Sequence, residues 1–165
     1  MSKTIELVIT HTFNAPRELV FQAFTQAEHL KHWWGPKDWT LNVSKLDVRP
    51  GGIFHYSQQS ADGHVMWGKF VYREISAPEK MVYTNSFSDE EGNTIRAPFS
   101  QTWPLEILNT LTFTEQDGKT TLTMHGMPLS ATDEELQTFE SMHDNMQKGF
   151  AGTFDQLAEY LASKV

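Results

Sequence analysis

The sequence predicts an α+β fold in the order β-α-α-β6-α, a curved seven-stranded antiparallel sheet around a long C-terminal helix with an internal cavity. Three observations carry this expectation. From Trp39 to His125 the chain is a series of short apolar-polar runs separated by turn sequences such as RPGG, ADG and EQDGK. The C-terminal segment instead repeats apolar side chains at spacings of three or four. One strand-like run and two short helical segments come before both.

Ile5, Leu7, Ile9, His11 and Phe13 fall on one face at period two, the signature of a strand. In NAPRELVFQAF, Asn14 can cap a helix, Pro16 suits its first turn, and Glu18 complements its positive end. That helix is expected to run to about Phe24, and a second, over AEHLKHWW, to stop at Gly35-Pro36. Strands follow over Trp39–Val48, Ile53–Ser60, His64–Ile75, Met81–Phe87, Leu105–Thr114 and Thr120–His125. In RPGG, Pro50 presets the first turn position and Gly51 supplies the positive φ of a type II turn. Residues 88–104 read as a polar loop. Thr132 and Glu135 fit a capping box that opens one helix to about Ala162. Its apolar stripe is Leu136, Phe139, Met142, Met146, Phe150, Phe154, Leu157 and Leu161. At a helical rise it is about 45 Å long, enough to cross the whole sheet. Residues 1–165 are expected to form one domain.

Composition narrows the function. Thirteen Lys and Arg against twenty-one Asp and Glu give a net charge of −8, which argues against nucleic acid or an anionic membrane surface as partner. The absence of cysteine excludes disulfides and a thiol nucleophile. No apolar run reaches the length of a membrane span, and the opening MSKTIELVIT has no leader pattern, so we expect a cytoplasmic protein. His29 and His32 share a helix face without a third ligand, and we expect neither metal nor cofactor. No nucleophile elbow, zinc-protease, phosphate-loop or dinucleotide motif is present, and no catalytic residue is assigned.

The stretches NAPRELVFQAFTQAEHLKHWWGP, DVRPGG, GKFVYREISAPEKMVYTNSF, DGKTTLTM and GFAGTFDQLAEYL, taken together and in this order, resemble the homologues of the heat-shock-chaperone ATPase activator. That family lies in the START-like, helix-grip (SRPBCC) superfamily, with polyketide cyclases, aromatases, plant hormone carriers and lipid-transfer domains. The resemblance covers Ile5 to Leu161. It implies a helix-grip fold and a cavity between sheet and long helix. Where relatives often have Gly-Trp, this chain has Gly149-Phe150. Because the chain opens at the first strand, no separate chaperone-binding segment is expected before it.

KHWWGPKDW packs three of the five tryptophans into nine residues. Adjacent helical residues point about 100° apart, so one of Trp33 and Trp34 is expected to face inward and the other to form a lid or interface. Trp34, Phe54, Tyr56, Trp67, Tyr83, Phe87 and Trp103 either fill a core or wall a cavity, with Asn85 as a polar group among them. On the long helix, Met146 and Phe150 are candidate wall residues and His143 a candidate orienting group. Gly149 and Gly152 suggest a close approach of sheet or loop to the helix. His11 and Asn109 place polar groups on apolar strand faces, either internally bonded or offered to a ligand. The leading expectation is a module that binds an apolar or aromatic small molecule. A cyclase, aromatase or hydrolase using Tyr56, His143 or Asn85 is the enzymatic alternative, and a stress-response protein with a chaperone partner is the third. A monomer or small homo-oligomer is expected.

Overall fold

Alternating apolar side chains build one wide antiparallel sheet, and a helix crosses its concave face. The computed structural model describes residues 6–35, 38–97 and 100–163. In chain order these form β1 (Leu7–Phe13), α1 (Arg17–Thr25), α2 (Ala27–Trp33), β2 (Thr40–Leu46), β3 (Ile53–Gln59), β4 (Val65–Ser76) and β5 (Lys80–Ser88). They continue with β6 (Thr94–Ile95), β7 (Ile107–Gln116), β8 (Lys119–Pro128), α3 (Asp133–Ser141) and α4 (His143–Ala162). The sheet order is β1-β8-β7-β5-β4-β3-β2, with β6 paired to β5. This is the helix-grip architecture expected from the sequence.

Register aligns the inward side chains into rows across the strands. One row runs Phe113–Leu122–His11 and the next Leu111–Met124–Ile9. These rows are filled, and α1 and α2 pack Phe21, Phe24 and Trp33 against that end. Further along come Tyr72–Tyr83–Asn109–Gly126–Leu7 and Phe54–Phe70–Asn85–Ile107. The last row is Tyr56–Gly68–Phe87, where the middle position has no side chain. The sheet therefore has a filled end and an open end.

Helix α4 repeats that division. Phe154, Leu157 and Leu161, in its C-terminal half, are buried in the filled end. Met146 and Phe150, in its N-terminal half, are only partly buried. The helix grips with one half and roofs with the other.

Four local expectations are corrected. The long C-terminal helix is two, broken at Met142 (φ −98°, ψ 3°), whose N–H bonds to the Phe139 carbonyl at 3.1 Å. No Gly or Pro marks the break; tertiary contacts do. Arg96 pairs with Glu135, the Thr102 and Thr138 hydroxyls bond at 2.8 Å, and Trp103 packs on Phe139 at 5.6 Å. These draw α3 toward Arg96, Thr102 and Trp103, while α4 packs on β1 and α2. By the same contacts residues 88–104 are more than a loop, and β6 adds a short eighth strand. Third, Asn14 does not cap α1. Pro16 is its N-cap residue, and the Arg17 N–H donates instead to the Glu115 carboxylate at 2.7 Å, a cap supplied from the end of β7. Fourth, no backbone or side chain presses on Gly149 or Gly152. The expected strand start at Ile5 and the Pro36 stop lie outside the described residues.

The capping box is present as read. The Thr132 hydroxyl accepts from the Glu135 N–H at 3.1 Å, and Glu135 accepts from the Thr132 N–H at 2.9 Å. The RPGG turn also forms, with the Gly52 N–H on the Arg49 carbonyl at 2.8 Å and Gly51 at φ +84°. Its two glycines are needed for different reasons. Gly51 has open space but a left-handed backbone, whereas a Cβ on Gly52 would sit 2.0 Å from the Asp47 carbonyl oxygen. We predict that Gly51→Val destabilises by about 1–3 kcal/mol while Gly51→Asn retains most of the stability. Gly52→Ala should cost at least as much as Gly51→Val. Denaturant midpoints of the three variants test this, and an unchanged Gly51→Val midpoint would refute the turn assignment.

Candidate functional site

The open end of the sheet and the N-terminal half of α4 enclose a cavity of about 980 Å³. Its floor is formed by Leu7, Tyr56, Asn85, Phe87, Ile107, Asn109 and Gly126, contributed by β1, β3, β5, β7 and β8. Its roof is Met146, Gly149, Phe150, Gly152, Thr153 and Gln156 of α4. Trp34 and Gly35 close one end, while Trp103, Phe139 and Met142 line another part of the wall. Lys148, Asp155 and Glu159, all exposed, form the rim on α4.

The tryptophan pair divides two tasks. Trp33 is a core plug, 1% exposed, with its indole N–H donating to the Ala23 carbonyl at 3.0 Å. Trp34 turns to the cavity and meets Phe70 edge-on at 5.3 Å and Tyr56 edge-on at 6.3 Å. Gln156 ties this closure to α4 by donating to the Gly35 carbonyl at 2.9 Å. His32 stacks on Tyr160 at 4.8 Å beside it.

Most polar groups in the cavity are neutral. Asn109 donates to Asn85 and to the Ile107 carbonyl, a cross-strand amide pair under the roof. Gly126 makes room for it, since a Cβ there would lie 3.1 Å from the Asn109 amide oxygen. Gly68 likewise makes room for the Tyr56 phenol, which would stand 2.7 Å from such a Cβ. Burial pushes Tyr56 up to about 12, against an opposing pull from the Trp34 N–H. That N–H is buried against the phenol. Tyr72 and Tyr83 are also raised, each chiefly by burial. Among the described residues no three His, Asp or Glu side chains gather to hold a metal.

Of the residues singled out in the sequence, Trp34, Tyr56, Asn85, Phe87, Trp103, Met146 and Phe150 line this one cavity. Phe54 and Tyr83 face the same way but are packed around Phe70, Tyr83 stacking on it at 4.0 Å. Trp67 belongs to the opposite face of the sheet, where it stacks on His55 at 5.0 Å. His143 lies edge-on to Phe139 at 5.2 Å and is not in the cavity lining. Sequence reasoning missed Gln58, Ile107, Thr153 and Gln156 as lining residues. Helical spacing from Met146 and Phe150 places Thr153 on the same face, and period-two alternation from Phe54 and Tyr56 does the same for Gln58.

The sequence pattern of the Activator of Hsp90 ATPase homolog 1-like protein family matches residues 14–162, and the chain belongs to that family. No curated protein matches the chain. Among solved structures, a Mycobacterium smegmatis protein is 29% identical over 96% of this chain and 91% of its own, with a TM-score of 0.78. A Staphylococcus epidermidis protein is 26% identical over 100% of this chain and 94% of its own, again at 0.78. A Silicibacter pomeroyi protein named AHSA1 is 17% identical over 97% of this chain and 99% of its own, at 0.73, and shows the shared fold. No described helix is long and apolar enough to cross a membrane.

Two predictions follow from the site's geometry. Gly149 and Gly152 face open space, so alanine at either should raise stability by about 0.5–1 kcal/mol through helix propensity alone. A loss in the denaturant midpoint would mean that something packs on that face. The raised phenols favour the folded state while protonated, so their contribution is complete below pH 10 and is lost as pH rises toward 12. Tyrosinate absorbance should therefore lag in the folded protein and appear together with the loss of circular dichroism. Titration of all four tyrosines near pH 10 without unfolding would contradict the burial of Tyr56.

Proposed function

We propose that the protein is a binding module for an apolar or aromatic small molecule held between the sheet and α4. The observation that carries this reading is the cavity itself: about 980 Å³, walled by Trp34, Phe87, Ile107, Phe139, Met146 and Phe150, with a few neutral polar groups. Such a volume and lining match those of sites that bury most of a drug-sized molecule. A packed interior leaves few voids larger than a water, so space on this scale is a feature of the fold and not slack in it. Met146 and Met142 give the roof an adaptable, polarizable surface.

Binding is favoured over turnover by the groups at hand. Tyr56 stays protonated near neutrality and supplies a donor, not a base. A chaperone as partner is the third reading; the family description names an activator of Hsp90 ATPase, and nothing else supports it for this chain.

The test is Met146→Trp. Aromatic probes should bind the parent with about micromolar affinity and perturb tryptophan emission. The variant should lose that binding with little change in stability, because the cavity has room for the added atoms. In a filled core the same change would overpack and cost about 1–3 kcal/mol. Saturable binding that survives the substitution would place the site elsewhere, and a strongly destabilised variant of a protein that binds nothing would make the tryptophans a plug.

A further inference from the structure

We propose that the cavity selects a neutral aromatic ligand carrying a carbonyl or similar acceptor oxygen, received by the Asn85 amide N–H and the Tyr56 hydroxyl, and that it rejects carboxylates. The inference rests on the binding reading above and narrows it to a chemical class.

The orientation of Asn85 follows from a chain of hydrogen bonds. A main-chain carbonyl only accepts, so the Ile107 oxygen, 3.3 Å away, fixes which end of the Asn109 amide is nitrogen. The same nitrogen donates to Asn85, which therefore turns its oxygen toward Asn109. Its own amide nitrogen has no protein partner among the described residues and is left to the cavity. The second donor is the Tyr56 hydroxyl, which lines the same cavity. The buried Trp34 N–H lies against the phenol oxygen, so the phenol's own O–H is the group left to donate.

Charge supplies the other half of the selection. Among the described lining residues, those that are buried or half-buried carry no charge and include no histidine. The exposed rim carries one positive and two negative side chains, Lys148 against Asp155 and Glu159. A carboxylate moved inside would lose its hydration with no cation to pair it. A ketone, amide or ester oxygen loses far less and meets two donors.

Three probes of nearly equal size separate these claims: acetylnaphthalene, naphthoate and ethylnaphthalene, each titrated calorimetrically at neutral pH. We expect acetylnaphthalene to bind about tenfold or more tighter than either of the others. Tyr56→Phe and, independently, Asn85→Ala should each remove most of the ketone's advantage over ethylnaphthalene measured in the same variant. Naphthoate binding as tightly as acetylnaphthalene would overturn the proposal, as would a hydrocarbon that binds as well as the ketone. Either result leaves the binding reading intact. If no probe binds and Met146→Trp is strongly destabilised, the binding reading fails and the proposal with it.

Discussion

The seat of Phe154 is the interaction on which the rest of the structure depends. This side chain is 1% exposed and meets Phe13 edge-on at 6.1 Å, Trp33 at 6.5 Å, Phe24 at 6.5 Å and Phe150 at 5.8 Å. It thus joins β1, both short helices and the next turn of α4 in one aromatic cluster. The Phe13 pair is edge-to-face, a geometry that adds about 0.5–1.5 kcal/mol beyond the area it buries. Once Phe154 is seated, α4 is fixed over the filled rows of the sheet. Its N-terminal half must then project over the open rows, and Trp33, held in the same cluster, sets Trp34 at the end of the space so formed.

What keeps the open rows open is side-chain size at a few strand positions. Gly68 and Gly126 leave gaps in the inward face, and the gaps admit the Tyr56 phenol and the Asn109 amide. Larger residues there would push those polar groups out or fill the floor. Buried polar groups need partners, and the Asn85–Asn109 pair supplies most of its own. The cavity is therefore built from absences of side chain on the floor and a glycine-bearing roof, over a frame whose other end is tightly packed.

The sequence made the architecture legible because turn chemistry is local. RPGG and EQDGK force their backbones into positive φ at Gly51, Asp117 and Gly118, and hairpins follow from that. Period-two alternation likewise gave the inward faces of β1 and β7. It gave a face without depth, however, so Phe54 and Tyr83 looked equivalent to Tyr56 although the neighbouring strands fill the space around them. In β4 the same period puts Trp67 and Phe70, three residues apart, on opposite faces, while Gly68 on the inward side carries no apolar signal. Cross-strand partners such as Asn85 and Asn109 are 24 residues apart and meet only through register. The break at Met142 was invisible for a related reason. The apolar spacing continues through it, and what bends the chain there is contact with a distant segment.

That bend has a mechanical consequence. The Glu135 carboxylate takes the Thr132 N–H and the Arg96 guanidinium together, and both hold it below the usual carboxylate range. The start of α3 and the segment carrying Trp103 are thereby one panel, latched again at Thr102–Thr138. The panel bears two wall residues, Trp103 and Phe139, and joins α4 through the turn at Met142. Its attachments are hydrogen bonds, one ion pair and the Trp103–Phe139 contact, while the opposite end is held by the larger aromatic cluster. The cavity thus has one wall set in a packed aromatic cluster and another carried across a turn on a separately tied panel.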